Sequence, residues 1–357
     1  MFRVLCIAGG GAATGGGGGA GGFRDEDDVE LVDFKEYEVV VGEGSTNSSG
    51  ADTYIAKVNS VIETPVFSIG IPNTSDSEVA DVSSMLNPAG EVWVEINVSG
   101  TQERDGDGTF VSIKGQSMGI TWDGTYHFNV TSLLSGESSV TLANQNNSCS
   151  ATVTFKFSAG YDLFSVGGGL GTNRHSDNGG FTGKMGGSGG GGGPAQSNES
   201  GGPGGRDVPG QGFEGGSGIN SKGTNPRRDA GGGGGGGAGG AGSNAFNGGA
   251  DGGDGEFSDI TGTNLRYAGG GAGVGSNSNP QPGNGHDKPG GGGTIYGGTT
   301  TGQDGIVVFR YTLADVTHSY TGGVITDVDG DRIHTFTSSG ILSPFLPPLG
   351  AASLVSK

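Results

Sequence analysis

Several short stretches carry residues whose types and spacing suit chemistry. From Arg3 to Gly19 the chain reads RVLCIAGGGAATGGGGG, a short apolar run leading into G-x-G-x-x-T. A strand running into such a loop is how dinucleotide enzymes bring backbone amides and a helix N-terminus onto a pyrophosphate. That chemistry needs a helix directly after the loop. The residues after Gly11 read AATGGGGGAGGFRDEDD, in which no helix can form. Asp25, Glu26, Asp27 and Asp28 would also repel phosphate. A second stretch, Gly186–Gly190, has the G-x-S-x-G spacing of a nucleophile elbow around Ser188. It lacks both the buried strand and the helix that expose such a serine. A third, Asp327-Val328-Asp329-Gly330-Asp331, sets carboxylates at alternate positions around a glycine turn. Asp327, Asp329 and Asp331 are candidate calcium ligands. The spacing is not that of the EF-hand loop, and Asp-Gly is equally a common hairpin dipeptide. Asp105-Gly106-Asp107-Gly108 reads as a turn.

The five histidines, His127, His175, His286, His318 and His334, fall in separate contexts without a metal-ligand partner at i+2 or i+4. His127 and His334 occupy alternate positions of strand-like runs, where a solvent-facing side chain is expected. Aromatic residues embedded in glycine-rich sequence are Phe181, Phe213, Phe246, Tyr267 and Tyr296. On loops they would be candidates to contact sugars or a receptor protein; alternatively they seal the edges of a glycine-rich core. No acid/base or nucleophile constellation emerges. The expectation is a protein that is not an enzyme and holds no cofactor, with calcium as the one candidate ion.

The elements that must position these residues are unusual. Of 357 residues 83 are glycine, several times the ordinary share of about 7%. Collagen is excluded, because there is no strict three-residue glycine period and proline numbers only 13. The formal charge is −19, which repels nucleic acid and anionic membranes, so neither is an expected partner. Cys6 and Cys149 lie in strand-like runs without a C-x-x-C pair and read as small buried hydrophobes. No run reaches the ~20 apolar residues of a membrane span, and the first residues lack the apolar core of a signal peptide.

Glycine is unevenly placed: residues 61–160 hold 10, whereas 161–310 hold 55. The middle segment alternates apolar and polar residues in EVWVEINV, GTYHFNV and ATVTFKF, with SVTLA, TFVSI and TPVFSIGI as further runs. Half-buried antiparallel strands follow, about six or seven of them, enough for a small β-sandwich, immunoglobulin-like in architecture. The glycine-rich parts are punctuated by RVLCIA, VELVDF, YEVVVG, YDLFSV, TNLRYAG, DGIVVFRYTL and RIHTFTSSG, repeated apolar strands that a disordered linker does not need. In YEVVVG, Tyr37, Val39 and Val41 should face one way, and Glu38 and Val40 the other.

Runs such as Gly231–Gly237 can be neither helix nor sheet core. Polyproline-II geometry remains, with three residues per turn. Bare glycine segments can then approach closely and bond backbone to backbone. The chain is expected to be all-β. A glycine-rich domain would occupy 1–61 and 160–346, an inserted sandwich 62–159, and a tail 347–357.

Four stretches in order, Val4–Gly11, Tyr37–Gly42, Leu265–Gly273 and Asp304–Tyr311, resemble the glycine-rich domain common in bacteriophage tail and virion proteins. The resemblance covers residues 1–60 and about 160–340. It implies a structural role in a virion, often at a fibre or tail tip, with no known catalysis. Two departures stand out: the inserted β-domain, and RIHTFTSSGILSP at Arg332–Pro344, which resembles a strand that normally opens such domains and here comes last. A circularly permuted arrangement follows, in which this strand completes the chain's own sheet or pairs with a neighbouring subunit, with RVLCIA as its expected neighbour in the sheet.

The leading functional expectation is a virion structural protein, at the tail tip or tail fibre in preference to the capsid, able to bind a host-surface glycan or protein. Its other partners would be virion proteins and further copies of itself, with a trimer as the favoured oligomer. A capsid decoration or head fibre protein is the alternative. A secreted glycan- or ice-binding module is a third reading, disfavoured by the missing leader.

Overall fold

The computed structural model describes residues 1–31, 35–57, 161–173, 180–195, 200–220, 230–275, 279–295, 300–314, 316 and 319–345, together with the backbone of the strands between 69 and 157. Among them there is no helix. The first glycine-rich part supplies β1 (Phe2–Ile7), β2 (Phe23–Val29), β3 (Tyr37–Val40) and β4 (Thr53–Lys57). The middle segment supplies β5 (Ile69–Ile71), β6 (Ser77–Asp81), β7 (Val92–Ser99), β8 (Val111–Ile113), β9 (Gln116–Ser117), β10 (Gly124–Asn129), β11 (Ser139–Asn144) and β12 (Ser150–Phe157). The rest are β13 (Tyr161–Ser165), β14 (Glu256–Ser258), β15 (Leu265–Tyr267), β16 (Ile306–Thr312), β17 (Ser319–Thr321), β18 (Val324–Val328), β19 (Asp331–Phe336) and β20 (Gly340–Phe345).

Both ends of the chain build two five-stranded antiparallel sheets. One has the order β18-β19-β16-β1-β2, the other β13-β4-β3-β20-β17. They pack face to face over Val4, Cys6, Phe309 and Phe336 from the first and Tyr37, Val39, Ile55 and Leu342 from the second. The alternation of YEVVVG holds: Tyr37, Val39 and Val41 are buried and Glu38 is exposed. The opposite face of the first sheet is also covered. Leu5, Ile7, Val308 and Ile333 pack there against Ala20, Ile260, Tyr267 and Ala268 from the glycine-rich part. Burial on both faces explains why β1 and β16 are continuous apolar runs rather than alternating ones.

Two expectations need correction. RVLCIA does not lie beside RIHTFTSSG; β16 stands between them, pairing β1 on one side and β19 on the other. The C-terminal strands complete the chain's own sheets, since β20 also pairs with β3. The strand placed at VELVDF begins instead at Phe23, takes in the acidic run and ends at Val29, pairing with β1, while Val32, Asp33 and Phe34 lie outside the described residues. A bulge opposite Arg3, with Asp28 at φ 59°, lets these acids follow the sheet edge.

The glycine segments hold together through backbone hydrogen bonds whose targets repeat every third residue. Ala8 and Gly11 donate to Gly22 and Gly19, Gly9 and Ala12 to Ala51 and Ser48, and Gly10 and Ala13 to Gln303 and Thr300. The pattern recurs where Gly232 and Gly235 donate to Val274 and Gly271, and Gly233 and Gly236 to Gly192 and Gly189. Each segment therefore donates to three neighbours in turn and completes one turn in three residues. Glycine is required at the contacts: a Cβ on Gly17 would overlap the Gly271 carbonyl, and one on Gly235 the Gly18 carbonyl.

The middle segment forms two four-stranded antiparallel sheets, β10-β7-β12-β5 and β6-β11-β8-β9. The strands that flank it are neighbours, with Tyr161 of β13 opposite Ala56 of β4. The segment therefore leaves the second sheet and returns to it at one point.

Candidate functional site

The residues that looked ready for chemistry are occupied by structural work. In the opening loop the amides of Gly9, Gly10 and Gly11 donate to backbone carbonyls at 3.0, 2.8 and 2.9 Å. None is left to cradle a phosphate. Ser188 is fully buried, and its amide and carbonyl take part in the glycine lattice, bonding Ala20 and Gly169. Among the described residues its Oγ has no hydrogen-bond partner, and it packs where a Cβ on Gly212 would stand.

The Asp327–Asp331 stretch is the turn of the β18–β19 hairpin. Asp329 and Gly330 form it, with φ of 53° and 91°, as a tight two-residue hairpin turn demands. Val328 lies opposite Asp331, and Asp327 opposite Arg332. Cross-strand partners share a face, so Asp327 and Asp331 point to opposite faces. Asp327 takes two hydrogen bonds from Arg332, at 2.8 and 2.9 Å. Asp331 takes one from Arg310 and one from Thr312, each at 2.8 Å. Those partners hold both carboxyls below the usual carboxylate range. Among the described residues no group of three His, Cys, Asp or Glu is placed to hold a metal.

His334 departs from its expected exposure. It is fully buried, stacked on Tyr311 with ring centroids 5.7 Å apart. Nδ1 donates to the Gly322 carbonyl at 2.8 Å, which makes Nε2 the acceptor for the Tyr311 hydroxyl at 3.3 Å. The Tyr311 oxygen in turn accepts from the Tyr320 amide at 3.2 Å. Burial, the largest influence, lowers the His334 pKa and keeps the ring neutral. Cys6 is buried as expected, its thiol pushed up to about 12 by desolvation.

An open depression of about 760 Å³ lies beside Met1, Arg3, Asp27, Asp259, Arg310 and Asp331. It is built from satisfied charges. Arg3 grips Asp25 through two bonds, at 2.8 and 2.7 Å, and also holds Asp259. Arg310 reaches the Asp259 and Ile260 carbonyls at 3.3 and 3.4 Å. The two arginines thus pin the Asp259–Ile260 turn to the sheet and drive Ile260 into the core. Arg3 holds the Asp259 carboxyl below its usual range. This arrangement fastens the glycine-rich part to the sheet.

What remains for contact is aromatic. Phe246 is 79% exposed at the tip of a turn whose next residues, Asn247 and Gly248, have φ of 54° and 138°. The turn is anchored just before Phe246: the Ala245 amide donates to Ser217 O at 2.8 Å, and Asn244 Oδ1 accepts from the Ser217 amide at 2.7 Å. Phe213 and Phe181 are exposed on segments whose carbonyls accept from Gly189 and Gly193 at 3.0 and 2.8 Å. Tyr267 is not available for contact; it is buried against the first sheet, and it seals the glycine-rich part as the alternative reading had it. Sequence reasoning passed over Phe257, which is exposed on the β14–β15 hairpin with the Arg266 guanidinium 4.3 Å from its ring centroid. Its only signal was an aromatic opposite an arginine across a short hairpin, in polar surroundings. Tyr296, His175, His318, Cys149, the Asp105–Gly108 run and the side chain of His127 lie outside the described residues.

Comparison with protein-family models, with curated proteins and with solved structures gives no match for this chain.

Proposed function

We propose that the protein is a structural component of a bacteriophage virion, at the tail tip or tail fibre, that presents aromatic-tipped loops to a host-surface glycan or protein. In this reading the glycine segments are a bundle of polyproline-II helices, and the segment between β4 and β13 is an inserted sandwich of immunoglobulin-like architecture. The observation that carries the proposal is the three-residue hydrogen-bond repeat joined to the exposed Phe246. Three residues per turn is the polyproline-II repeat. A scaffold bonded through its backbone needs no side chains for stability, so side chains at its turns are free to vary and to bind. A phenyl ring held on a rigid turn loses little conformational entropy on contact. Phe213 and Phe181 offer the same chemistry on neighbouring segments.

Immunolabelling of intact particles tests the location; absence of the protein from particles would sink the virion reading. Binding of the purified protein to host cells tests the contact. Phe246→Ala is expected to lower cell binding by roughly tenfold, a loss of ~1.4 kcal/mol, with an unchanged melt. Capsid decoration is the second reading. It is favoured by the single exit and re-entry point at Lys57 and Tyr161, which lets the middle segment project as a module; the same labelling distinguishes it.

A further inference from the structure

One edge of the first sheet is open. Among the described residues β18 is the last strand of that sheet and pairs with β19 alone. Its residues from Val324 to Asp327 are exposed, Val324 by 66% and Ile325 by 43%. A free edge presents a row of backbone N–H and C=O groups whose natural complement is another extended chain. The strand, VITDV, has no proline, lysine or bulge to blunt it, and its one charge, Asp327, is engaged by Arg332.

We propose that β18 pairs antiparallel with the same strand of a second copy of this chain, about a two-fold axis at Thr326, to make one continuous sheet. The strand reads V-x-T-x-V about Thr326. In that register Val324 lies opposite Val328 of the partner subunit, and Thr326 opposite Thr326 of the partner subunit. Both are favourable cross-strand pairs. Ile325 meets Asp327 of the partner subunit, so no like charges oppose one another. Such self-complementarity is what a two-fold interface requires. The other edge of the sheet, β2, carries Asp25, Glu26, Asp27 and Asp28. Docking it on β18 would set that run against Asp327. Charge therefore selects the two-fold pair over a head-to-tail contact between the two edges, the kind a trimer would need here.

Sedimentation of the full chain tests this. The wild type is expected to be a dimer. Thr326→Lys places two ammonium groups across the axis and is expected to lower the dimer fraction by roughly tenfold or more. Mixing Thr326→Lys with Thr326→Glu chains is expected to restore it. In Thr326→Cys the facing Cα atoms stand at the ~4.5–5.5 Å of antiparallel partners, within disulfide reach. Mild oxidation should then give a cross-linked dimer that the wild type does not give. Thr326 is exposed, and thermal melts establish that each variant folds. A monomeric or trimeric wild type, a Thr326→Lys chain that stays dimeric, or a Thr326→Cys chain that does not cross-link overturns the proposal. If Thr326→Lys melts early, the cysteine cross-link decides.

Discussion

His334 sits on a strand whose alternation is plain, Arg332 and His334 on one face, Ile333 and Thr335 on the other. Alternation says that the faces differ; it does not say which one meets water. Here both do little of that, because the second sheet covers one face and the glycine-rich part the other. A neutral buried histidine binds fewer protons than its unfolded counterpart between its lowered folded pKa and its ordinary value of 6.5. Stability from this group is therefore fully present above that value and is lost as the pH falls below it, by up to about 1.4 kcal/mol per pH unit until the folded pKa is passed. The charges on the same face, Arg332 and Asp327, oppose one another in this, and burial raises the Tyr311 hydroxyl above its ordinary value, so it stays neutral in the range. Urea unfolding at pH 5 and pH 8 checks the slope. His334→Gln, which keeps a donor for the Gly322 carbonyl, is expected to flatten it while lowering stability at pH 8 by ~1–3 kcal/mol.

Two elements carry predictions of their own. In the glycine lattice, substitution effects should sort by what a Cβ would meet. Gly17→Ala forces a methyl onto the Gly271 carbonyl in the middle of the bundle, and is expected to cost ~1–3 kcal/mol or more. Gly240→Ala meets nothing closer than the Asp254 amide at 3.7 Å. It is expected to be neutral or to stabilise by ~0.4–1 kcal/mol, because it restricts the unfolded chain. Melting temperatures of the two variants, measured side by side, check the order. In the β18–β19 hairpin, Asp327 and Asp331 face opposite sides and are each held by an arginine. The melt is accordingly expected to be the same with calcium and with chelator; a shift of several degrees would return the turn to the list of ion sites. The sequence named the hairpin dipeptide and the carboxylates equally well. Strand register, which sends neighbouring positions to opposite faces, separated them.

At the scale of the whole molecule, the chain's two ends form one body. β1 and β2 from the start share a sheet with β16, β18 and β19 from the end, and β20 closes on β3. The middle segment hangs from a single junction between β4 and β13. Replacing residues 58–160 with a short Gly-Ser turn is expected to leave the remaining protein folded. Its melting temperature should lie within a few degrees of the full chain's, and exchange protection in the glycine segments should be retained. Loss of protection there would mean that the middle segment supports the lattice. The first sheet's open edge sets the assembly proposed above, and the loop around Phe246 the contact.

Composition and alternation were enough to establish an all-β chain, the interruption of the glycine-rich sequence by ordinary strands, and the inner and outer residues of YEVVVG, because these depend on local stereochemistry alone. They also named Phe246 among five aromatics that either meet a partner or seal the core, and the structure decided for exposure there. They did not reveal that His334 is buried, that the acidic run Asp25–Asp28 is a strand held by Arg3, or that Phe257 is displayed. Each of those depends on what lies across a sheet face or an ion pair, from residues as far away as Arg3 is from Asp259. A glycine run carries no side-chain pattern to announce its neighbours. Its partners are chosen by backbone amides that every residue shares, so which segment bonds which is a property of the folded whole.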